Sequence, residues 1–524
     1  MSPAFRGVLL PAAVLTLALG LIAPVSAQAS PDGAPAARRA GHSAPEFSPA
    51  EAREVLDEAT RQLRRQPVPS TGRLGLEVPV TSDGELTLTL RDLFRARASL
   101  TGEDRRDADA ILARPTDAGG DTVGPGTKPV SYVGASPESY CPVGGVACIH
   151  WVTTGAERIP STADSDRNGV PDYVETVYAT MAEVWRTEIG ALGYRTPLPD
   201  GGSVLTPGNP DQRIDVYLAD VGSRGLYGYC APDGANPMAR TQPGYCVLDN
   251  DYAAAQFRTE PIRALRVTAA HEFFHAVQFA YDAYEDIWFM EGTATWMEDQ
   301  VYDSINDNYQ FLRYSPIRFP RTSLDRPDGQ YPYGSFLFFT FASEQLGVGT
   351  VHDFWERAVG GTASVQAVRD RVGAAAWPTF FSLFGSWNTL PAGSYSERAG
   401  YPAPVWGLRK TISKRSRSTG WQTMQIGHLG NSTMQLSPDR KLGRRTRLVV
   451  QVDGPPVSQG TVALLQRRLA NGRVQHSRMA LNSNGDGRAM VRFDRRTLRS
   501  LVVVVTNSNP NGSAQSFRVL AKLR

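Results

Sequence analysis

Residues 271–298 read HEFFHAVQFAYDAYEDIWFMEGTATWME. The run leading into them opens with Thr259 in the place of a helix cap and Pro261 in the first turn, and neither Gly nor Pro interrupts it from Ile262 to Tyr281. On such a helix His271 and His275 stand about 40° apart around the axis and one turn apart along it, so both imidazoles can face one ion. Glu272 sits on the flank, placed to reach a water on that ion rather than the ion itself. Glu291 comes 16 residues after His275, room for the helix to end, turn and begin an antiparallel partner. Gly292 and Ala294 are small enough to let that partner pack close. Glu298 lies seven residues beyond Glu291 on the same helical face, where it can accept a hydrogen bond from the free N–H of a ligand histidine. A catalytic zinc needs three protein ligands and one open position. His271, His275 and Glu291 are the expected ligands, with Glu272 as general base. The competing reading is a buried helix whose histidines are satisfied by carboxylates.

Taken together, HEFFHAVQFAYD (271–282) and WFMEGTATWMED (288–299) resemble the gluzincin metallopeptidases. The E-G-x-A-x-x-x-E half is similar to that of the zinc aminopeptidases. More closely, the chain resembles a family of exported bacterial metalloproteases over about residues 131–390, a stretch that includes DSDRNGVPDYVE (164–175), RIDVYLAD (213–220) and YPYGSFLFF (331–339). The resemblance implies a zincin-like domain, a His/His/Glu zinc site, and peptide hydrolysis in which Glu272 takes a proton from water and delivers it to the leaving amine. It also places Tyr333, in a Pro-Tyr pair before a helix, as the donor that steadies the oxyanion. Two departures stand out. The gap between His275 and Glu291 is shorter than in gluzincins, which keeps Glu285, Asp286 and Glu298 open as third ligands. The Gly-rich exopeptidase motif of the aminopeptidases is missing, which points to endopeptidase action on protein or peptide substrates. His150, His352 and His428 lie outside any motif and are read as structural or exposed.

DSDRNGVPDYVE sets Asp164, Asp166, Asn168, Asp172 and Glu175 at positions 1, 3, 5, 9 and 12 with Gly169 at 6, the oxygen-ligand order of a calcium loop. Pro171 departs from an EF-hand and no partner loop is visible. The alternative is an Asx-rich turn capping the helix that follows, whose Val174, Val177, Met181, Val184 and Leu192 share one face.

The chain begins with Arg6, an apolar run from Val8 to Ile22 and a small-residue cleavage site at Val25-Ser26-Ala27, the plan of a secretory signal peptide. No later segment approaches the ~20 apolar residues of a membrane helix, so a secreted, extracellular protein without stable membrane insertion is expected. Four cysteines in an exported chain point to disulfides, and short loops favour Cys141–Cys148 with Cys230–Cys246. The net charge is +3 over 524 residues, which makes no case for nucleic acid as a partner. Basic residues cluster from Arg409 to Arg417 and from Arg440 to Arg447, read as a solvated linker and strand-edge surface.

The predicted organisation is a signal peptide (1–27), a prosegment and linker (28–129), a zincin-like α+β catalytic domain (130–408) and an all-β sandwich (409–524). Within the prosegment a helix is expected from Pro49, then an extended LTLTLRDLF, then the Gly/Pro-rich 117–129 as an exposed, cleavable joint. The prosegment holds no thiol that could occupy a zinc, so latency of the zymogen must rest on steric blocking of the cleft. RIDVYLAD is expected as a half-buried strand. The sequence reads best as a secreted zinc metalloendopeptidase with calcium as a structural ion. The rival is a catalytically dead scaffold whose sandwich binds a cell-surface or matrix ligand.

Overall fold

The computed structural model describes residues 47–64, 86–117, 123, 127, 129–199, 213–257, 259–397 and 399–524. The expected signal peptide lies outside the described residues. The described chain is a mixed α+β protein, with helices and one sheet before two further sheets near the C-terminus. Among the described residues no helix is long and apolar enough to cross a membrane.

Three helices come first. α1 (Pro49–Gln62) starts from a reciprocal cap, in which Ser48 accepts from the Glu51 backbone N–H and Glu51 accepts from that of Ser48. α2 (Leu86–Ala96) and α3 (Gly102–Leu112) follow. The alternation in LTLTLRDLF predicted an extended segment, and the structure makes it α2. Leu86, Leu90, Leu93 and Phe94 satisfy helical spacing as well as any strand pattern, and they enter a core shared with α1 and α3. Leu88, on the other side, enters the larger core of the protein. Burial on both sides made the residues alternate without a strand being present.

The first sheet runs in the order β1-β2-β3-β5-β4, from β1 (Glu138–Tyr140), β2 (Ala147–Trp151), β3 (Ile214–Ala219), β4 (Gly228–Pro232) and β5 (Gly244–Asp249). β2, β3 and β5 are parallel, and the edge strands β1 and β4 are antiparallel to their neighbours. Both disulfides are the local ones, Cys141–Cys148 and Cys230–Cys246, the second joining directly opposed residues of β4 and β5. β3 is buried along its whole length rather than on one face. Ile214, Val216 and Leu218 pack with α4 (Asp172–Trp185) and the helices that follow α5 (Ala254–Phe257), namely α6 (Pro261–Asp282) and α7 (Ile287–Tyr302). Tyr217 and Ala219 pack instead against the N-terminal helices. The polar residue between, Asp215, is matched by the buried Arg114, which leaves α3, and by His150 at 2.8 Å. Of the described residues of the predicted exposed joint before Pro129, Asp117 is exposed, whereas Val123 and Thr127 are buried.

Pro261 opens α6 as expected, but Glu260, not Thr259, occupies the cap position, and it makes no side-chain cap bond. Beyond α7 come α8 (Tyr331–Gly334), α9 (Phe336–Leu346), α10 (Gly349–Trp355), α11 (Ser364–Val372) and α12 (Trp377–Trp387).

The C-terminal part is a two-sheet sandwich. β6 (Leu408–Ile412), β8 (Gly430–Pro438), β10 (Thr461–Leu469), β11 (Val474–Arg478) and β13 (Leu498–Asn507) form one sheet in the order β11-β10-β13-β8-β6. β7 (Gln422–Ile426), β9 (Arg447–Asp453), β12 (Gly487–Arg492) and β14 (Gln515–Leu523) form the other in the order β12-β9-β14-β7. Leu465, Leu501 and Val503 meet Val450, Phe517 and Val519 between them. α12 lies against the outer side of the five-stranded sheet. Trp377 donates to the Ser508 carbonyl at 3.0 Å, and Gln466 of β10 donates to Ser386 at 2.9 Å. The sandwich is therefore seated on the helical part by buried contacts.

If α1–α3 are one wall of the core, Phe94→Ala should cost about 3–5 kcal/mol and shift the main denaturant transition of the whole chain. A separate early transition, with the main one unmoved, would show that these helices fold on their own.

Candidate metal centre

α6 and α7 form an antiparallel pair that carries the centre. The rings of His271 and His275 lie with centroids 4.9 Å apart and planes at 77°. Glu291 Oε2, from α7, stands 3.4 Å from His271 Nε2 and 3.9 Å from His275 Nε2. These ligand atoms all lie within 4.8 Å of one another, and all three residues are buried. Bonds of about 2.0–2.2 Å at tetrahedral angles place ligand atoms roughly 3.4 Å apart, so the spacing fits a single ion. The shorter gap to Glu291 does not displace it from the cluster.

The hydrogen bonds behind the ligands decide which ring nitrogen faces inward. His271 Nδ1 is 2.7 Å from Glu298 Oε1, as expected for that glutamate. His275 Nδ1 is 2.8 Å from Gln278 Oε1. The Gln278 amide is oriented by its own donations to the Met290 carbonyl at 2.9 Å and Thr293 Oγ1 at 3.1 Å. Its oxygen must then accept from His275, which leaves the Nε2 lone pair pointing at Glu291. Sequence reasoning missed Gln278. Its signal was its place one turn beyond His275 on the same helix.

Gly292 has the expected close-packing role, but against a different neighbour. A Cβ there would come within 2.7 Å of the Phe339 ring and 3.4 Å of the Pro332 carbonyl, so it admits α8 and α9 rather than α6. Tyr333 stacks on His271 at 6.0 Å and 18°, and Phe311 stacks on Tyr333 at 4.7 Å. Tyr331 is buried and packs. The alternative ligands Glu285 and Asp286 sit in the α6–α7 turn, outside the cluster. Burial, with Asp286 and Asp282 nearby, pushes the Glu285 carboxyl up to about 8.

A second missed residue is Glu188, in the π-helical turn Arg186–Ala191 that extends α4. It is fully buried, and neither of its oxygens has a hydrogen-bond partner among the described residues. Burial holds its carboxyl well above the usual range, partly countered by His271. It falls between Val184 and Leu192 at helical spacing, on the apolar stripe read from the sequence, and a carboxylate on such a stripe was the available sign. His150 is buried between Ser139 and Asp215 and stacks on Tyr217, a structural role.

Glu272 is buried beside the ligands, and its Oε2 accepts a hydrogen bond from Thr87 of α2 at 3.0 Å. The same hydroxyl accepts from the Cys230 N–H at 2.9 Å. Cys230 opposes Cys246 in the β4–β5 ladder, so an N–H taken by Thr87 is one on the free edge of β4. Further along α2, Arg91 donates to the Glu285 carbonyl at 3.0 Å. The N-terminal segment thus touches Glu272, the sheet edge beside it and the turn between α6 and α7.

The loop 164–175 is exposed and ties itself together. Asp164 accepts from the N–H groups of Asn168 and Gly169 at 3.2 and 2.9 Å, and the Asn168 amide donates to Glu175 at 2.7 Å. Gly169, at φ +90°, supplies the turn that position 6 needs. Asp172 accepts from Ser165 instead. Among the described residues two groups bring three ligand atoms within 4.8 Å, His271-His275-Glu291 and the half-exposed Asp299-Asp303-Glu397, and this loop is not one of them.

No family model matches the chain, and no curated protein matches it significantly.

Because the bonds behind the ligands set ring orientation, Glu298→Gln and Gln278→Leu should each weaken divalent-metal affinity about 10–100-fold, read by competition with a chromogenic chelator. Glu285→Gln should leave it unchanged.

Proposed function

We propose that the protein is an exported zinc metalloendopeptidase, held inactive by its own N-terminal helices. The observation that carries this is the convergence of His271 Nε2, His275 Nε2 and Glu291 Oε2 in a buried place, with Glu272 alongside. Two imidazoles and one carboxylate suit zinc, and their number leaves one position open. When bound, zinc supplies Lewis acidity, acidifying a water and polarising the scissile carbonyl. Glu272 takes the proton and passes it to the leaving amine. Tyr333, stacked on His271, is the donor assigned to the developing negative charge. β4 offers a free strand edge next to this centre, and an extended peptide pairs with such an edge through main-chain hydrogen bonds.

Thr87 accounts for the inactive state. Its hydroxyl engages Glu272 and the edge N–H of Cys230 together, so α2 sits where the substrate would. The same helices cover Tyr217, Tyr229 and Tyr245 on the sheet. Activation therefore has to uncover the β4 edge without leaving that aromatic face bare to water. Calcium at 164–175 is part of the proposal as a stabilising ion, favoured by the turn already formed around Asp164.

Glu272→Gln in the activated protein should lower hydrolysis of casein by at least about 10²–10⁴-fold, with zinc content and cooperative melting retained. Zinc-free protein that cleaves nothing would instead leave a binding protein built on a silent scaffold. A second check concerns calcium. Adding it to zinc-loaded protein should raise the melting temperature, and Asp164→Ala should remove that increment.

A further inference from the structure

We propose that the outer face of the sheet β12-β9-β14-β7 is a docking surface for an acidic polysaccharide. The inference does not depend on the metal centre. Residues 409–524 hold 22 Lys and Arg, 18 of them Arg, against four Asp and no Glu. That is a charge of +18 in a chain whose total is +3, so the remaining residues carry −15. A near-neutral total hid a strong division of charge between the two parts of the chain.

The four-stranded sheet gathers a large part of this charge on one face. Nineteen of the 22 basic residues are exposed. Arg492 of β12 lies directly opposite Arg447 of β9. In the next outward-facing row Val449 stands between Met490 and Lys522, and further along Arg518 lies opposite Asp453. Facing like charges destabilise a strand pair unless something negative lies between them; Asp494 answers Arg492 at 2.9 Å, while no ion pair is found for Arg447 among the described residues. The turns at that end of the sheet add Arg444 and Arg445 before β9 and Arg495 and Arg496 after β12, and the Phe493 N–H to Thr446 carbonyl bond holds the two turns together. The clusters read from the sequence as a solvated linker and strand edge belong in part to this single surface.

The few acids are already engaged. Asp494 is buried, pairs with Arg492 and holds the Arg496 and Thr497 backbone, Asp453 pairs with Arg518, Asp439 accepts from the Lys441 N–H, and Asp486 accepts from Asn482. The five-stranded sheet has α12 on its outer side, whereas this face leaves Trp421 45% and Met490 47% exposed.

The pattern selects the partner. Guanidinium forks match carboxylate and sulfate oxygens two at a time. On a sheet such groups recur about every 7 Å along a strand and 4.8 Å between strands, a flat array suited to a linear polymer with regularly spaced anions. One exposed tryptophan, itself beneath Arg518 at 5.1 Å, is not the row of stacking rings that single-stranded nucleic acid uses.

The full chain is tested against immobilised polygalacturonate and heparin, with neutral dextran, a single-stranded DNA 20-mer and phosphatidylglycerol vesicles alongside. Binding to one or both acidic glycans and not to dextran is expected, with affinity falling steeply as salt rises. Arg447→Gln with Arg492→Gln should weaken it at least tenfold while the cooperative melting transition is retained. Arg473→Gln, on the hairpin of the other sheet, should change neither. Equal affinity for glycan and dextran, an unchanged double variant, or tighter binding to DNA or vesicles than to either glycan overturns the proposal.

Discussion

Three atoms with inward lone pairs, two imidazole nitrogens and a carboxylate oxygen, meet in a place closed to solvent. Such a meeting is costly unless a cation or protons stand among them, because a buried carboxylate is stabilised only by partners that carry opposite charge or donate. Much of the surrounding structure serves to hold that meeting in place. Glu298 and Gln278 fix the two rings, the Met290 carbonyl and Thr293 fix Gln278, and Gly292 lets α8 and α9 close on α7. Tyr333 reaches His271 because that closure brings α8 over the pair.

The N-terminal helices are bound into the same arrangement. They bury the second face of the first sheet and send Arg114 to Asp215, and Thr87 ends at Glu272. A segment that is at once wall and stopper would give the proposed latency a simple physical form. Glu272, the base of the proposed reaction, is already accepting one hydrogen bond, and the strand edge beside it is taken. Hydrogen bonds to charged groups contribute about 1.5–3 kcal/mol each, enough to keep a docked helix in place and small enough for a cut and a modest strain to release it.

Much of the centre was legible along the chain because its parts lie on two consecutive helices. Four-residue spacing fixes how His271 and His275 point, and seven-residue spacing puts Glu291 and Glu298 on one face. The all-β character of 409–524 was equally legible. Individual strands such as β8 were not, since stretches such as NSTMQLSP carry polar residues that are buried in the fold. α2 was read as extended and β3 as half-buried for one common reason. Alternation reports that two sides of a segment differ, not what covers each side.

The sequence by itself determined the local geometry: which imidazoles and carboxylates are spaced to share a point, which carboxylate stands beside them, and which cysteines pair across short loops. Helical period and loop length are properties of neighbouring residues, so they survive without a fold. Only the tertiary structure decided that Thr87 meets Glu272 across 185 residues, that Gln278 orients His275, and that scattered arginines share one face. Those relations arise from packing between distant segments, and no periodicity in the chain encodes which surface covers which.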